Sequence, residues 1–173
     1  MKQSFFRWFL ILSLCLGGII TFSCCGKEKE SSFPLAPDFT LRTLDGQELT
    51  LSKLRGEVIL LDFWATWCSP CRESIPHLIQ LYKTYQKKGF EVIGMNMDKR
   101  DMETVRQFAM SLNIPYPVVI TLEKVERDYG VTGLPSTIII DKKGRIREKI
   151  RGFTSEIAKQ MTTTVLDLLA ENP

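Results

Sequence analysis

The sequence predicts an α/β domain, and three observations support this fold class. From residue 35 onward, short apolar runs typical of buried strands alternate with stretches whose apolar residues recur at helical spacing. The segment 35–173 has about 140 residues, enough for one core and for one sheet with helices on both faces. No segment of the chain is repeated. We therefore expect a single domain.

The first predicted elements come before and after a pair of cysteines. Asp45-Gly46 is a turn pair, and it predicts a hairpin over residues 38–51. The run 58–64 is apolar except for Asp62, as in a buried strand. Residues 69–88 have apolar side chains at helical spacing, and Gly89 ends that helix.

The second half of the domain continues the alternation. A strand over 90–97 and a helix over 102–112 are followed by a short strand and a short helix. The short strand is predicted over 116–120 and the short helix over 123–129. Two strands, 136–140 and 146–150, are then joined by a turn at 141–144, and an amphipathic helix over 155–169 ends the domain. The strands 136–140 and 146–150 are expected to be antiparallel partners, since only a tight turn joins them.

Composition excludes several function classes. The chain has 173 residues, with 23 basic and 20 acidic side chains and a formal charge of +3. This balance fits neither an acidic disordered tail nor a nucleic-acid-binding protein. The one histidine, His77, cannot build a multi-histidine metal centre, so no metal site is predicted.

The amino terminus is predicted to direct export. Lys2 and Arg7 precede an uncharged apolar run to residue 22, as in a secretory signal. Ser23 before Cys24 resembles a bacterial lipobox, in which the cysteine is lipidated. Residues 1–25 are therefore predicted to be a signal peptide with a lipobox or a membrane anchor, with free secretion as a further alternative. Residues 26–34 form a flexible tether, and residues 35–173 form the folded domain.

Cys68 and Cys71 form a C-x-x-C pair where a predicted strand ends and a helix begins. Unpaired amides at a helix start stabilise a thiolate, so we expect a lowered pKa for Cys68. Cys68 is then the exposed attacking thiol, and Cys71 lies deeper as the resolving thiol. Pro70 suits an early helical position, and Trp67 offers an apolar docking surface. A zinc half-site and an inert structural pair are the alternatives.

Two further residues support redox chemistry. Asp62 is the one ionisable side chain in the run 58–64. Burial would raise its pKa, which suits it to accept the proton of Cys71; a carboxylate satisfied by backbone amides is the alternative. Pro135 precedes a second apolar strand, and a cis bond there would expose the backbone of Leu134 to an extended substrate. A proline that only begins a strand is the alternative.

These residues resemble the thioredoxin superfamily, and more narrowly the membrane-tethered TlpA/ResA type. The resemblance covers residues 35–172 and rests on APDFTLRTLDGQELTLSKLRG, VILLDFWATWCSPC, Pro76 and GLPSTIIIDKKGRI. It implies a thioredoxin-like fold with a central mixed β-sheet flanked by helices, an N-terminal hairpin, and a helix-strand insertion over 102–120 before a cis-proline.

The resemblance also implies site roles. Cys68 is the nucleophile, Cys71 the resolving thiol, Asp62 the acid-base group and Pro135 the cis-proline. Many relatives have a glutamate three residues after the second cysteine, where this chain has Ser74. That departure weakens a detailed analogy to cytochrome c maturation enzymes, and Glu73, about 100° round the helix, is not expected to substitute.

The predicted function is an extracytoplasmic thiol-disulfide oxidoreductase that reduces protein disulfides, in cytochrome c maturation or envelope redox homeostasis. Its expected place is the periplasmic face of a bacterial membrane, with protein thiols or disulfides as substrates and a membrane electron donor or acceptor as partner. We expect a monomer that uses no cofactor and binds no nucleic acid.

Three alternatives remain at this level. The same dithiol could work as an oxidant, since Ser69-Pro70 does not set the direction. A peroxiredoxin-like peroxidase shares the opening segment, although Ala65 occupies the position of its threonine or serine. A Sco-like copper-binding protein would need a distant histidine, whereas His77 is expected to be an exposed surface residue.

Overall fold

The computed structural model describes residues 33–99 and 102–172. Within these residues the helices and strands follow the predicted order: β1 Thr40–Arg42, β2 Glu48–Thr50, β3 Val58–Trp64, α1 Ser69–Tyr85, β4 Phe90–Asn96, α2 Met102–Ser111, β5 Val118–Ile120, α3 Glu123–Asp128, β6 Ser136–Ile140, β7 Ile146–Arg151 and α4 Ser155–Ala170. The predicted segment 1–25, its Cys24, and most of the tether lie outside the described residues.

The main sheet is mixed, as predicted, with strand order β5-β4-β3-β6-β7. Strands β3, β4 and β5 are parallel, because helices α1 and α2 carry the chain back between them. Strands β6 and β7 are antiparallel to their neighbours. The β1-β2 hairpin forms a separate small sheet, and it contacts β5 through a bridge between Thr43 and Val119.

The strand β3 divides the interior into two cores. Side chains alternate along a strand, so Leu60 and Trp64 pack on one face while Leu61 and Phe63 pack on the other. The first core includes buried residues of α1 and α4, and the second includes residues of the hairpin and α3. Asp62 shares the face of Leu60 and Trp64, which is the face covered by α1.

Several predicted elements are shorter in the structure, and two of them have a clear local cause. Helix α1 ends at Tyr85, and a turn of 3-10 helix over Gln86–Lys88 leads to Gly89, whose φ of +84° favours glycine. The predicted strand 116–120 begins at residue 118, since Pro117 has no N–H to donate to a ladder. Tyr116 therefore lies in the segment before β5. None of the described helices combines the length and the apolar character needed to cross a membrane.

Candidate active site

Cys68 and Cys71 form a disulfide at the start of α1. Their sulfurs are 2.00 Å apart and their Cα atoms 5.3 Å apart. Cys68 is the N-cap residue of α1, and its sulfur accepts a hydrogen bond from the backbone N–H of Cys71 at 3.3 Å. Pro70 lies in the first turn, as predicted, where a missing N–H costs no helical bond. The sulfur of Cys68 thus faces an amide at the helix start.

The prediction of an exposed Cys68 is wrong for this disulfide form. Its residue is 5% exposed, and Cys71 is fully buried. Both cysteines belong to the apolar first core, whose packing covers most of Cys68. An attacking partner therefore reaches Cys68 through the small exposed edge that borders a surface groove.

That groove, of about 710 Å³, contains the predicted docking residues. Trp67 is 66% exposed beside Cys68, and Leu134 lies in the lining contributed by the loop before β6. The Leu134-Pro135 bond is cis. No other described residue pairs with the backbone N–H or C=O of Leu134. The complete lining is Trp67, Cys68, Ser69, Pro70, Met97, Lys99, Glu126, Val131, Thr132, Gly133 and Leu134.

Asp62 is buried between the sheet and α1, on the face of β3 that this helix covers. Its residue has no exposed surface, and neither carboxylate oxygen has a hydrogen-bond partner among the described residues. Burial raises the pKa of Asp62 from its ordinary 3.8 to about 7. The alternative of a carboxylate satisfied by backbone amides is therefore wrong. Asp62 can hold or release a proton near neutral pH.

Ser74 lies below the cysteines, where it is almost fully buried. Its hydroxyl donates to the carbonyl of Cys71 at 2.9 Å, while Glu73 on the neighbouring face of α1 is exposed. Glu73 was not expected to replace the glutamate that many relatives have at the position of Ser74. Its exposed position agrees with that expectation. Asp62 is a fully buried carboxylate on the sheet face that this helix covers.

The expectation for His77 is wrong. Its ring is partly buried because α4 packs over α1: Nε2 lies 3.4 Å from the hydroxyl of Thr162, and the ring centre lies 6.0 Å from that of Phe153. Burial lowers the pKa of His77. In the described part of the chain, no three histidine, cysteine or acidic side chains come together in an arrangement suited to a metal ion.

A hydrogen-bonded cluster that the motif analysis missed supports the turn before Cys68. The Asp98 carboxylate accepts from the backbone N–H of Thr66 at 2.7 Å, from the Thr66 hydroxyl at 2.9 Å and from the Asn96 amide at 2.8 Å. Arg72 of α1 donates to the Thr66 carbonyl at 2.8 Å. The sequence signal was present, since Asn96 ends β4 and Asp98 follows it, at the edge where parallel strands end.

The fold and the site together define a class. A dithiol pair at the first turn of a helix, next to a cis-proline loop and above a mixed sheet of this order, is typical of thioredoxin-fold redox proteins. Comparison with known proteins shows to which family within this class the chain belongs.

The chain is similar to curated proteins named thiol-disulfide oxidoreductase ResA. The protein from Bacillus anthracis is 34% identical over 158 residues, covering 88% of this chain and 91% of the relative. The one from Geobacillus thermodenitrificans is 40% identical over 127 residues, covering 72% of each chain. The crystal structure of a thiol:disulfide interchange protein of the thioredoxin family from Chlorobium tepidum matches with a TM-score of 0.74 and 28% identity, covering 82% of this chain and 99% of that one.

Residues 35–149 match the AhpC/TSA family, and the chain belongs to that family. Within the family it is a thioredoxin-fold thiol-disulfide oxidoreductase of the ResA type. The resemblance expected from the sequence motifs, and the thioredoxin-like fold it implied, are confirmed. Proteins with thiols or disulfides are the substrates that this activity implies.

Proposed function

We propose that this protein reduces disulfides of other proteins outside the cytoplasm, with Cys68 as nucleophile and Cys71 as resolving thiol. The single observation that supports this most is the Cys68-Cys71 pair at the start of α1, bordering an open groove and backed by a buried carboxylate without a partner. Asp62 acts as the acid-base group, and Trp67, Pro70, Leu134 and Pro135 receive the substrate.

The reaction moves two electrons from the enzyme dithiol to the substrate disulfide. The Cys68 thiolate attacks one substrate sulfur, a Cys68-substrate bond forms, and the second substrate sulfur leaves as a thiolate. Cys71 then loses its proton to Asp62 and attacks Cys68. The enzyme disulfide forms, and the first substrate sulfur leaves and takes up a proton. An external dithiol restores the enzyme.

Asp62 suits the second step. A base for a buried thiol must lie on the buried side and must exchange a proton near the working pH. Asp62 is on the face of β3 that α1 covers, and its pKa is about 7. Asp62 therefore accepts the Cys71 proton, directly or through one water molecule.

The backbone of Leu134 suits substrate docking. A peptide group without a protein partner, at the rim of a groove, can pair with an extended segment as an added strand does. The exposed Trp67 ring lines the same groove and supplies apolar contact there. An unfolded or extended disulfide-containing segment is thus the expected substrate form.

Catalytic reduction of insulin by dithiothreitol tests the proposal. The chain should accelerate it, Cys68→Ala should abolish the acceleration, and Cys71→Ser should accumulate a mixed disulfide with its partner. Thr163→Ala, on the exposed side of α4, is the matched control and should keep full activity. Absence of both acceleration and trapping would refute the proposal.

Two measurements separate the proposal from the alternatives. A reduction potential below about −220 mV, near the glutathione range, supports a reductant, and a value nearer that of the strong oxidants supports an oxidant. Peroxide consumption that requires Cys68 would instead indicate a peroxidase. The position expected to hold a threonine or serine in that case is the fully buried Ala65.

We propose the same domain organisation as the sequence predicts: residues 1–25 as signal and lipid attachment or anchor, 26–34 as tether, and 35–173 as a monomeric redox domain. The supporting pattern is the basic start, the apolar run and Ser23-Cys24. Labelling with palmitate should be lost in Cys24→Ala and retained in the neighbouring control Cys25→Ala. Equal labelling of both variants would contradict lipidation at Cys24.

The proposed setting is the periplasmic face of a bacterial membrane, in envelope redox homeostasis or cytochrome c maturation, with electrons from a membrane donor. The Cys71→Ser variant, expressed in cells, should trap its partners as mixed disulfides. Recovery of apocytochromes would support the second setting, and recovery of other envelope proteins would support the first. Trapping of cytoplasmic proteins alone would contradict both.

A further inference from the structure

Unpartnered buried polar atoms are concentrated at one place in the first core. Among residues 33–99 and 102–172, the buried side-chain atoms without a hydrogen-bond partner are Asp62 Oδ1 and Oδ2, Trp64 Nε1 and the Tyr116 hydroxyl. Native proteins pair most buried polar atoms with protein or with ordered water. A group of such atoms on three neighbouring side chains therefore indicates a buried polar site that binds water or moves a proton.

Gly94 brings the three side chains together. It lies directly opposite Asp62 in the register of β3 and β4. A Cβ at Gly94 would lie 3.1 Å from Trp64 Nε1 and 3.4 Å from a ring carbon of Tyr116. The indole N–H and the tyrosine ring thus occupy the space beside Asp62 that a side chain at position 94 would fill.

Tyr116 connects this site to a second groove, away from the cysteines. Its residue is 4% exposed and lines a groove of about 480 Å³ between the hairpin turn, α2 and the segment before β5. Tyr82 of α1 lines the same groove, and its ring packs edge-on against Tyr116 at 5.9 Å. Tyr116 therefore lies between Asp62 and solvent on the α2 side.

We propose that Tyr116 is a positioning residue for Asp62: its hydroxyl and the indole N–H of Trp64 hold buried water that stabilises the ionised carboxylate and exchanges its proton with the groove beside α2. This inference rests on the proposed acid-base role of Asp62. Buried waters occur where two to four polar groups lie within reach of one water, and the four unpartnered atoms of these three side chains are the groups that would hold it.

The proton balance is simple. Each cycle transfers one proton from Cys71 to Asp62, and Asp62 must lose it before the next cycle, either back to the Cys71 thiolate that the external dithiol releases or to buried water. Water passes that proton to the Tyr116 hydroxyl, which donates its own proton onward, so the tyrosine is unchanged. Burial and then the charge of Asp62 raise the pKa of Tyr116 well above its ordinary value of 10, which keeps the hydroxyl neutral.

The other titratable groups at this site come from the first core and from the groove. In the first core they are Cys68 and Cys71, when reduced, Tyr85, and Tyr82, whose pKa is raised by burial and by Glu91 and Glu57. Asp45 and Arg106 line the groove that Tyr116 also lines. Helix α4 and strands β6 and β7 supply apolar side chains to the same core, namely Met161, Val165, Leu168, Ile139 and Ile150. A change at Tyr116 should therefore be detected in the titration of Asp62.

The test is a carboxyl ¹³C NMR titration of Asp62 in the full oxidised chain. In Tyr116→Phe the pKa of Asp62 should rise by one unit or more, a tenfold change in proton affinity. The matched control Tyr85→Phe removes a hydroxyl at the opposite end of α1 from the cysteines and should leave the pKa unchanged. Gly94→Ala is a second variant: it displaces Trp64 Nε1 or Tyr116, and it should also raise the pKa.

The same variants should change the pH profile of insulin reduction. Tyr116→Phe should move the alkaline rise in rate to higher pH, and it should have no effect in an Asp62→Asn background. An Asp62 pKa that is equal in Tyr116→Phe and Tyr85→Phe would overturn this inference alone. A wild-type chain that fails to reduce insulin would instead overturn the proposed function, because the NMR titration does not depend on activity.

Discussion

Replacement of Asp62 by asparagine should change how stability depends on pH. In the folded protein the carboxyl is fully buried and its pKa is about 7, whereas in the unfolded chain it is near 3.8. Between these values the folded state holds a proton that the unfolded state has released. The stability associated with this proton is complete below pH 3.8 and is lost as pH rises through about 7. Asparagine cannot ionise, so the variant lacks that loss.

The magnitude follows from the two pKa values. Each pH unit between them contributes about 1.4 kcal/mol, so the full difference from 3.8 to about 7 corresponds to about 4 kcal/mol. Between pH 5 and pH 8 the wild type should lose about 2–3 kcal/mol of this. The free energy of unfolding of Asp62→Asn, relative to the wild type, should therefore rise by about 2–3 kcal/mol over that interval.

Urea unfolding of the oxidised proteins at pH 5, 6, 7 and 8 measures this. Glu91→Gln is the matched control for activity, because burial also raises the pKa of Glu91 to about 7. Glu91 lies near the start of β4, whereas the cysteines follow the end of the neighbouring parallel strand β3. Both variants should flatten the pH dependence of stability. Only Asp62→Asn should slow insulin reduction, by about 100-fold or more. A pH dependence of unfolding in Asp62→Asn equal to that of the wild type would refute the reasoning.

Three further outcomes are expected. Asp98→Ala leaves the Thr66 N–H unpaired and should lower the free energy of unfolding by about 2–3 kcal/mol, measured in urea; an unchanged midpoint would contradict the supporting role of this cluster. Gly94→Ala introduces contacts of 3.1 Å and should cost about 1–3 kcal/mol, seen as a lower Tm; an unchanged Tm would contradict tight packing around Gly94. Trp67→Ala should raise KM for insulin about tenfold at unchanged Tm, since the exposed ring contributes to docking and not to the core; an unchanged KM would remove Trp67 from the docking surface.

Local sequence patterns were enough to predict the fold and to place the cysteines at the start of a helix. The apolar run before Trp64, the turn pair Asp45-Gly46 and the stop at Gly89 depend on backbone geometry and on side-chain periodicity, which neighbours in sequence determine. The burial of Asp62 was predictable for the same reason, because a strand that is apolar on both faces is covered on both faces, and its single carboxylate is then buried with its neighbours.

Side-chain surroundings required the tertiary structure. His77 is partly buried because α4, about 85 residues later, packs on α1, and Cys68 has little exposed surface because it packs in the first core. Asp98 supports Thr66 only where β3 and β4 end side by side.

The sequence by itself determined the order of strands and helices, the C-x-x-C pair at a helix start and the carboxylate beneath it, since each depends on residues near one another in the chain. Only the tertiary structure decided what surrounds that carboxylate. Gly94 and Tyr116 come beside Asp62 through strand register and through a segment more than 50 residues away, and spacing in the sequence does not encode such contacts. The proton environment of the site is therefore a property of the packed sheet.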